Sequence, residues 1–183
     1  RRYQKSSGIS VLNEINEISL YERKAENCGS AEQLMGYEGS AAKAYFRGLA
    51  AVVEESFRFQ GRSRRPPRDP FNSMLSLGYS ILLNEVYGEI EHRGLNPYFG
   101  FLHREIFTSN FHSRKDRPGF FLDKEGMKKF ISKLEKKFSA STKYLSYANY
   151  SVSFRRAIGM QAGSLAKALE TADASHYIPV RIR

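Results

Sequence analysis

The chain has a single thiol, Cys28, in 183 residues. It cannot form an internal disulfide or a cysteine-rich zinc site. Long apolar runs are also missing. Runs such as Ile81-Leu82-Leu83 are short, far below the about 20 residues needed to cross a bilayer as a helix. No secretory leader is expected, because no apolar core follows Arg1-Arg2-Tyr3-Gln4-Lys5. The sequence contains no internal repeat, no low-complexity tract and no phosphate-cradling glycine loop of the nucleotide-binding kinds. Together these absences predict a cytoplasmic protein that neither crosses a membrane nor binds nucleotide in a glycine loop.

What is present is positive charge on an ordinary globular background. Apolar residues make up 41% and charged residues 26%, fractions that suit a folded chain. Lys and Arg number 29 against 19 Asp and Glu, a formal net charge of +10. Such an excess points to a polyanion, most often nucleic acid, although ribosomal and membrane-surface proteins share it.

The apolar spacing reads as helices separated by polar breaks, which makes the fold class all-α. Val11, Leu12, Ile15 and Ile18, with Tyr21 or Leu20, draw one stripe on a helix over about 9–27. Gly29 stops it. Ser30 and Gln33 form a capping box for a second helix over about 31–57, with Leu34, Ala41, Ala42, Tyr45, Phe46, Leu49, Val52 and Val53 on its buried side. Gly36, Gly39 and Gly48 lie inside that helix. Each costs about 1 kcal/mol against alanine, so close backbone approach or a kink is expected. Asp69 and Pro70 open a third helix, which Gly94 closes. Asp123 caps a fourth over 124–138, and a last helix spans about 150–172. Gly119-Phe120-Phe121-Leu122 reads as a short strand or an extended edge.

Three features can carry chemistry. Glu38 stands between glycines in Gly36-Tyr37-Glu38-Gly39, where a ligand or a second backbone can come close; a solvated helical glutamate beside packing glycines is the commoner case. His103 follows apolar and aromatic residues. It reads either as a satisfied core histidine or, with carboxylates, as a ligand of Mg²⁺ or Mn²⁺. His92, His112 (with Asp116 four residues on) and His176 are weaker. The stretch 58–68 holds five arginines, Arg58, Arg62, Arg64, Arg65 and Arg68, with no acid before Asp69. Guanidinium forks at this density suit phosphate, and the two prolines stiffen the display. Lysines 124, 128, 129, 133, 136 and 137 cover one face of the fourth helix, either as a second phosphate contact or as a solvated surface.

Three blocks occur in a fixed order: Gly36-Tyr37-Glu38-Gly39-Ser40-Ala41-Ala42-Lys43-Ala44-Tyr45-Phe46, then Arg64 to Tyr79 beginning Arg64-Arg65-Pro66-Pro67-Arg68-Asp69-Pro70-Phe71-Asn72, then Gly94-Leu95-Asn96-Pro97-Tyr98-Phe99-Gly100-Phe101-Leu102-His103. Together they resemble the CRISPR-associated integrase, the spacer-acquisition protein of prokaryotic CRISPR systems. The likeness runs from Arg1 to Glu105 and resumes from about Phe120. It implies the family's helical catalytic domain over 1–183, without the β-rich N-terminal domain. It also implies a Mg²⁺- or Mn²⁺-dependent DNA endonuclease and integrase of CRISPR adaptation and antiviral defence. That enzyme inserts captured DNA into the CRISPR array by 3′-hydroxyl transesterification. Its implied partners are double-stranded DNA, a second copy as homodimer and the small second adaptation subunit.

By the same resemblance Glu38 and His103 are catalytic metal ligands, and Asn72 and Tyr79 are weaker candidates for polar lining. The family's third ligand, an aspartate in a block of the form Leu-x-x-Asp-Leu-x-Glu, has no counterpart after Glu105, and Asp116 does not fit it. The expected reading is a stretch of natural chain missing near 105–106. A true loss would instead predict a non-catalytic DNA-holding scaffold. Outside the family, the charge and helices also fit a basic RNA-binding module.

Overall fold

A computed structural model of the chain describes residues 8–63, 66–100, 119–143 and 151–179. Among the described residues the framework is five helices: α1 (Leu12–Glu26), α2 (Ala31–Val52), α3 (Pro70–Glu91), α4 (Lys124–Ser139) and α5 (Phe154–Glu170). Single 3-10 turns occupy Glu55–Phe57 and Ala174–His176. Two three-residue strands, β1 (Ser141–Lys143) and β2 (Ser151–Ser153), pair antiparallel with Thr142 opposite Val152. They clip the entry to α5, where the Phe154 N–H donates to the Ala140 carbonyl at 3.2 Å. The all-α expectation holds. Each helix lies within three or four residues of its sequence-read limits, except that the second stops at Val52. Val53 is extended (φ −78°, ψ 143°), ending a run of two β-branched residues that a helix disfavours. Residues 119–123 join no strand, and Asp123 has extended backbone (φ −67°, ψ 172°) as it enters the next helix.

The chain divides within α3 into two compact units, Arg1–Ser73 with Phe101–Phe121, and Met74–Gly100 with Leu122–Arg183.

In the first unit, α1 and α2 pack antiparallel: Glu14 meets Gly48, and Tyr21 stacks on Tyr37 with ring centroids 6.3 Å apart. A Cβ on Gly48 would stand 3.2 Å from the Glu14 Cβ, so this glycine sets the helix separation. Gly36 and Gly39 have open space where a Cβ would sit, so the close approach expected of all three glycines applies to Gly48 alone. Arg47 binds Glu17, and Glu14 at 3.2 Å, across the pair. Tyr45 turns out to be 53% exposed, packed edge-on against Phe46, so it is not on the buried side. The capping expectation is met: Ser30 Oγ accepts from the Gln33 N–H at 3.2 Å, while Gln33 Oε1 reaches back to the Gly29 N–H at 3.1 Å.

In the second unit, the later turns of α3 pack with α4 and α5. A Cβ at Gly78 on α3 would lie 3.3 Å from the Phe130 ring on α4. The face of α5 is small: Ala157, Gly159, Ala162, Ser164, Ala166 and Ala168 are buried. Arg93 exploits it, donating from Nη1 to the Glu89 carbonyl at 2.8 Å and from Nη2 to the Gly159 carbonyl at 2.6 Å. Arg155 ties three helices. Its fork meets both Glu85 oxygens on α3 at 2.8 Å, and Nη2 reaches Glu135 on α4 at 3.1 Å. The same guanidinium lies over the Phe138 ring.

Helix ends follow known capping patterns. Asp123 caps α4 through the Gly126 N–H at 2.6 Å. Gly94 (φ +71°) closes α3 with the paired bonds Gly94 N–H to Glu91 O and Leu95 N–H to Ile90 O, a Schellman motif. After α5 the same pair of bonds runs from Ala172 to Leu169 and from Asp173 to Ala168, but Ala172 occupies the left-handed position at φ 53°.

Two outcomes are expected. Ala172→Gly should raise stability by about 0.5–1 kcal/mol in urea unfolding, because the strained Cβ is removed. The Arg155 hydrogen bonds hold the Glu85 carboxyl below its usual value of 4.5, against the opposing effect of burial. A carboxyl lowered in this way contributes stability above its unfolded value and loses it as pH falls through the folded one. Unfolding midpoints should therefore decline below about pH 4.5, and Glu85→Gln should flatten that part of the profile.

Candidate nucleic-acid interface and metal ligands

The arginine loop is built around one amide. Asn72, in the first turn of α3, has no exposed surface. Its Nδ2 donates to the Gly61 carbonyl at 2.9 Å and to Asp69 Oδ2 at 2.7 Å. Its Oδ1 accepts from the Ser63 N–H at 3.0 Å and from Arg62 Nη1 at 2.9 Å. All four positions that an amide can use are filled. Asp69 is held by the same residue: Oδ1 accepts the Asn72 backbone N–H at 2.7 Å, and the Asp69 carbonyl accepts the Ser73 N–H at 3.1 Å. This is the expected cap, and Pro70 follows it at a position that needs no N–H.

The rest of the loop folds onto this hub. Phe59 is buried and stacks on Phe71 with centroids 4.4 Å apart and planes 6° from parallel. Gly61 takes φ +143°, a conformation essentially reserved for glycine. Ser63 Oγ accepts the Arg68 N–H at 3.0 Å. A pocket of about 470 Å³ opens over the loop, with Arg58, Arg62 and Arg68 in its wall and Asp69 at its edge.

The arginines divide into two kinds. Arg58 and Arg68 are exposed; Arg58 has a loose pair to Glu55 at 3.7 Å, worth little in water. Arg62 is half-buried and turned inward onto Asn72 and the Ser63 carbonyl, so its first task is to hold the loop. Arg64 and Arg65 lie outside the described residues, as do His103, His112, Asp116 and the Glu105–Ile106 junction.

Glu38 is exposed on α2, with the open space of Gly36 and Gly39 on either side. A carboxylate of that kind, with room around it, suits a hard oxygen-seeking cation. Among the described residues no three His, Cys, Asp or Glu side chains gather into a metal site. Tyr79 is half exposed on α3. All six α4 lysines are exposed, Lys129 paired with Glu125 at 2.6 Å and Lys137 over the Phe154 ring. Among the described residues no helix is long and apolar enough to cross a membrane.

Sequence reasoning placed Asn72 as possible site lining and missed its role as the loop's anchor. The available signal was Asp69-Pro70-x-Asn72, a capping acid three residues before an amide that closes over the loop.

The chain is thus an all-α protein that displays a stiffened arginine loop and, on a separate helix, an exposed carboxylate between glycines. It belongs to the CRISPR-associated protein Cas1 family, whose family model matches residues 1–109. A CRISPR-associated endonuclease Cas1 of Mycobacterium tuberculosis (strain CDC 1551 / Oshkosh) is 30% identical over 209 residues, covering 97% of this chain and 62% of the relative. The chain therefore spans under two thirds of that relative's length. Among solved structures, a CAS1 protein from Thermotoga maritima superposes with a TM-score of 0.74 at 25% identity, over 92% of this chain and 60% of that one. A casposase bound to an integration product shares the fold, with a TM-score of 0.67 at 20% identity over 79% of this chain and 52% of the other.

Removing the anchor should expose its worth. Asn72→Ala removes the hub shared by the half-buried Gly61 carbonyl, Ser63 N–H and Arg62, and should cost about 2–4 kcal/mol. Asn72→Asp should be at least as harmful, because it sets a second carboxylate against Asp69. Urea denaturation of both variants beside Arg62→Ala measures the effect.

Proposed function

We propose that the chain is the helical catalytic part of a DNA integrase and endonuclease of CRISPR adaptation. Family membership supports this reading, and the observation that carries it is the arginine loop: two exposed guanidiniums beside a pocket, held rigid by the buried Asn72 amide. Arg58 and Arg68 bind phosphates of the DNA backbone and fix its register. Arg64 and Arg65 are proposed for the same task from their place in the loop sequence, and Arg62 reaches phosphate only from the pocket wall. The fold likeness to a casposase bound to an integration product favours the same chemistry.

The reaction is a transesterification. The 3′-hydroxyl of a captured fragment attacks a phosphodiester of the CRISPR repeat. One P–O bond forms, the bond to the bridging 3′-oxygen breaks, and that oxygen leaves as the new 3′-hydroxyl once protonated. No ATP is consumed. Glu38 and His103 are the proposed ligands of Mg²⁺ or Mn²⁺, which supplies charge stabilisation at the scissile phosphate. Glu38 contributes a negative oxygen donor in open space, and His103 a neutral nitrogen.

A third acid is proposed to lie in a segment that this sequence lacks near 105–106. The alignment with the M. tuberculosis relative supports a missing segment. Of 209 aligned positions this chain fills about 178 (97% of 183), so about 31 are carried by the relative alone. The proposed assembly is a homodimer with the small second adaptation subunit, on double-stranded DNA in the cytoplasm.

Strand-transfer assays test the metal assignment in a chain that includes the missing segment. Glu38→Ala and His103→Ala should each abolish Mg²⁺- or Mn²⁺-dependent joining while leaving duplex binding intact. Full activity in both would sink the assignment. For the loop, Arg58→Ala and Arg68→Ala should each reduce the slope of log affinity against log salt by about 1 and weaken binding alike across sequences.

A further inference from the structure

An apolar cleft runs between two helices of the second unit. Glu85 meets Arg155, a Cβ on Gly159 would touch Glu89, and one on Gly163 would touch Arg93. Successive turns of α3 thus meet successive turns of α5, and the two helices run parallel. A pocket of about 510 Å³ lies between them. Leu82, Val86 and Ile90 of α3 line it, with Phe154, Ile158 and Leu165 of α5. Leu82 is still 37% exposed, so this apolar wall is open at the end where α5 begins.

The chain's own tail is already directed along the cleft. After α5, the turn Ala174–His176 reverses the chain. Tyr177 joins the pocket wall, and Gln161 Nε2 donates to the Ile178 carbonyl at 3.1 Å. By Ile178 the tail has therefore come back along α5 from Thr171 to the level of Gln161, roughly 15 Å at the helical rise. Phe154 lies about 10 Å further along the axis, a distance that three extended residues cover. The sequence continues after Pro179 as Val180-Arg181-Ile182-Arg183. In an extended segment alternate residues share a side, which sets the two apolar residues against the two arginines.

We propose that residues 180–183 strap the second unit, with Val180 and Ile182 filling the cleft between α3 and α5 and the two arginines in water. Ile182 is assigned to the open end, beside Leu82 and Phe154. The strap is independent of the DNA reading.

The chain contains no tryptophan, so Ile182→Trp adds a single reporter to the tail of the full chain. Its emission should be blue-shifted and shielded from acrylamide, whereas Arg183→Trp should emit and quench as a free indole does in water. Adding Leu82→Asp to Ile182→Trp should shift the emission to the red and abolish the shielding; Leu82→Met should preserve both. Leu82 lies at an exposed edge, so both changes should leave the helices folded, checked by circular dichroism. An indole at 182 that quenches as freely as one at 183 overturns the strap and leaves the cleft to a partner protein. Shielding that survives Leu82→Asp overturns it too. Shielding that disappears on dilution assigns the cleft to the tail of a second copy and overturns closure within one chain.

Discussion

Asn72 carries two donors and two acceptor sites and has no access to water. Left unpaired at that depth, each would cost several kcal/mol. Every one is matched, and the partners come from Gly61, Arg62, Ser63 and Asp69. The amide therefore dictates where the loop's backbone must lie. Gly61 accepts its unusual φ, Phe59 closes over Phe71, and the first turn of α3 begins where Asp69 can serve both its cap and the amide. A five-arginine loop would otherwise repel itself. Here Arg62 is drawn inward as a strut, which gives Arg58 and Arg68 a fixed platform from which to face solvent.

The second unit solves a related problem with charge rather than a neutral amide. Arg155 meets two carboxylates on two helices and stacks on a ring. Arg93 does the same on a smaller scale by reaching a carbonyl of α5. The Arg93 contacts depend on α5 being small where it faces α3. A Cβ on Gly159 would touch Glu89 at 3.0 Å, and one on Gly163 would touch Arg93 at 3.2 Å. Small residues and long arginines are two halves of one packing solution: the first makes the space, and the second fills it with satisfied hydrogen bonds.

Local rules made the helices legible in the sequence. Ser30, Asp69, Asp123 and Gly94 each act at the position that capping chemistry predicts, because a cap needs only neighbours in the chain. The long-range choices were not legible. Nothing in Gly36, Gly39 and Gly48 distinguishes the one that meets another helix, and periodicity put Tyr45 on the wrong side because the partner of α2 covers only part of its surface. The arginine loop could be found by counting, but the inward turn of Arg62 could not, since it depends on an amide ten residues away. The candidate metal site was read from resemblance, and among the described residues only Glu38 bears on it.

The two basic surfaces of the chain differ in chemical reactivity as well as place. Residues 58–69 contain no lysine, whereas α4 exposes six. Amine-directed acylation erases the charge of a lysine and leaves a guanidinium untouched. Mild acetylation of the folded chain would thus strip the α4 face while the loop kept its charge. That selectivity separates the lysine-borne from the arginine-borne share of any polyanion affinity without a single substitution.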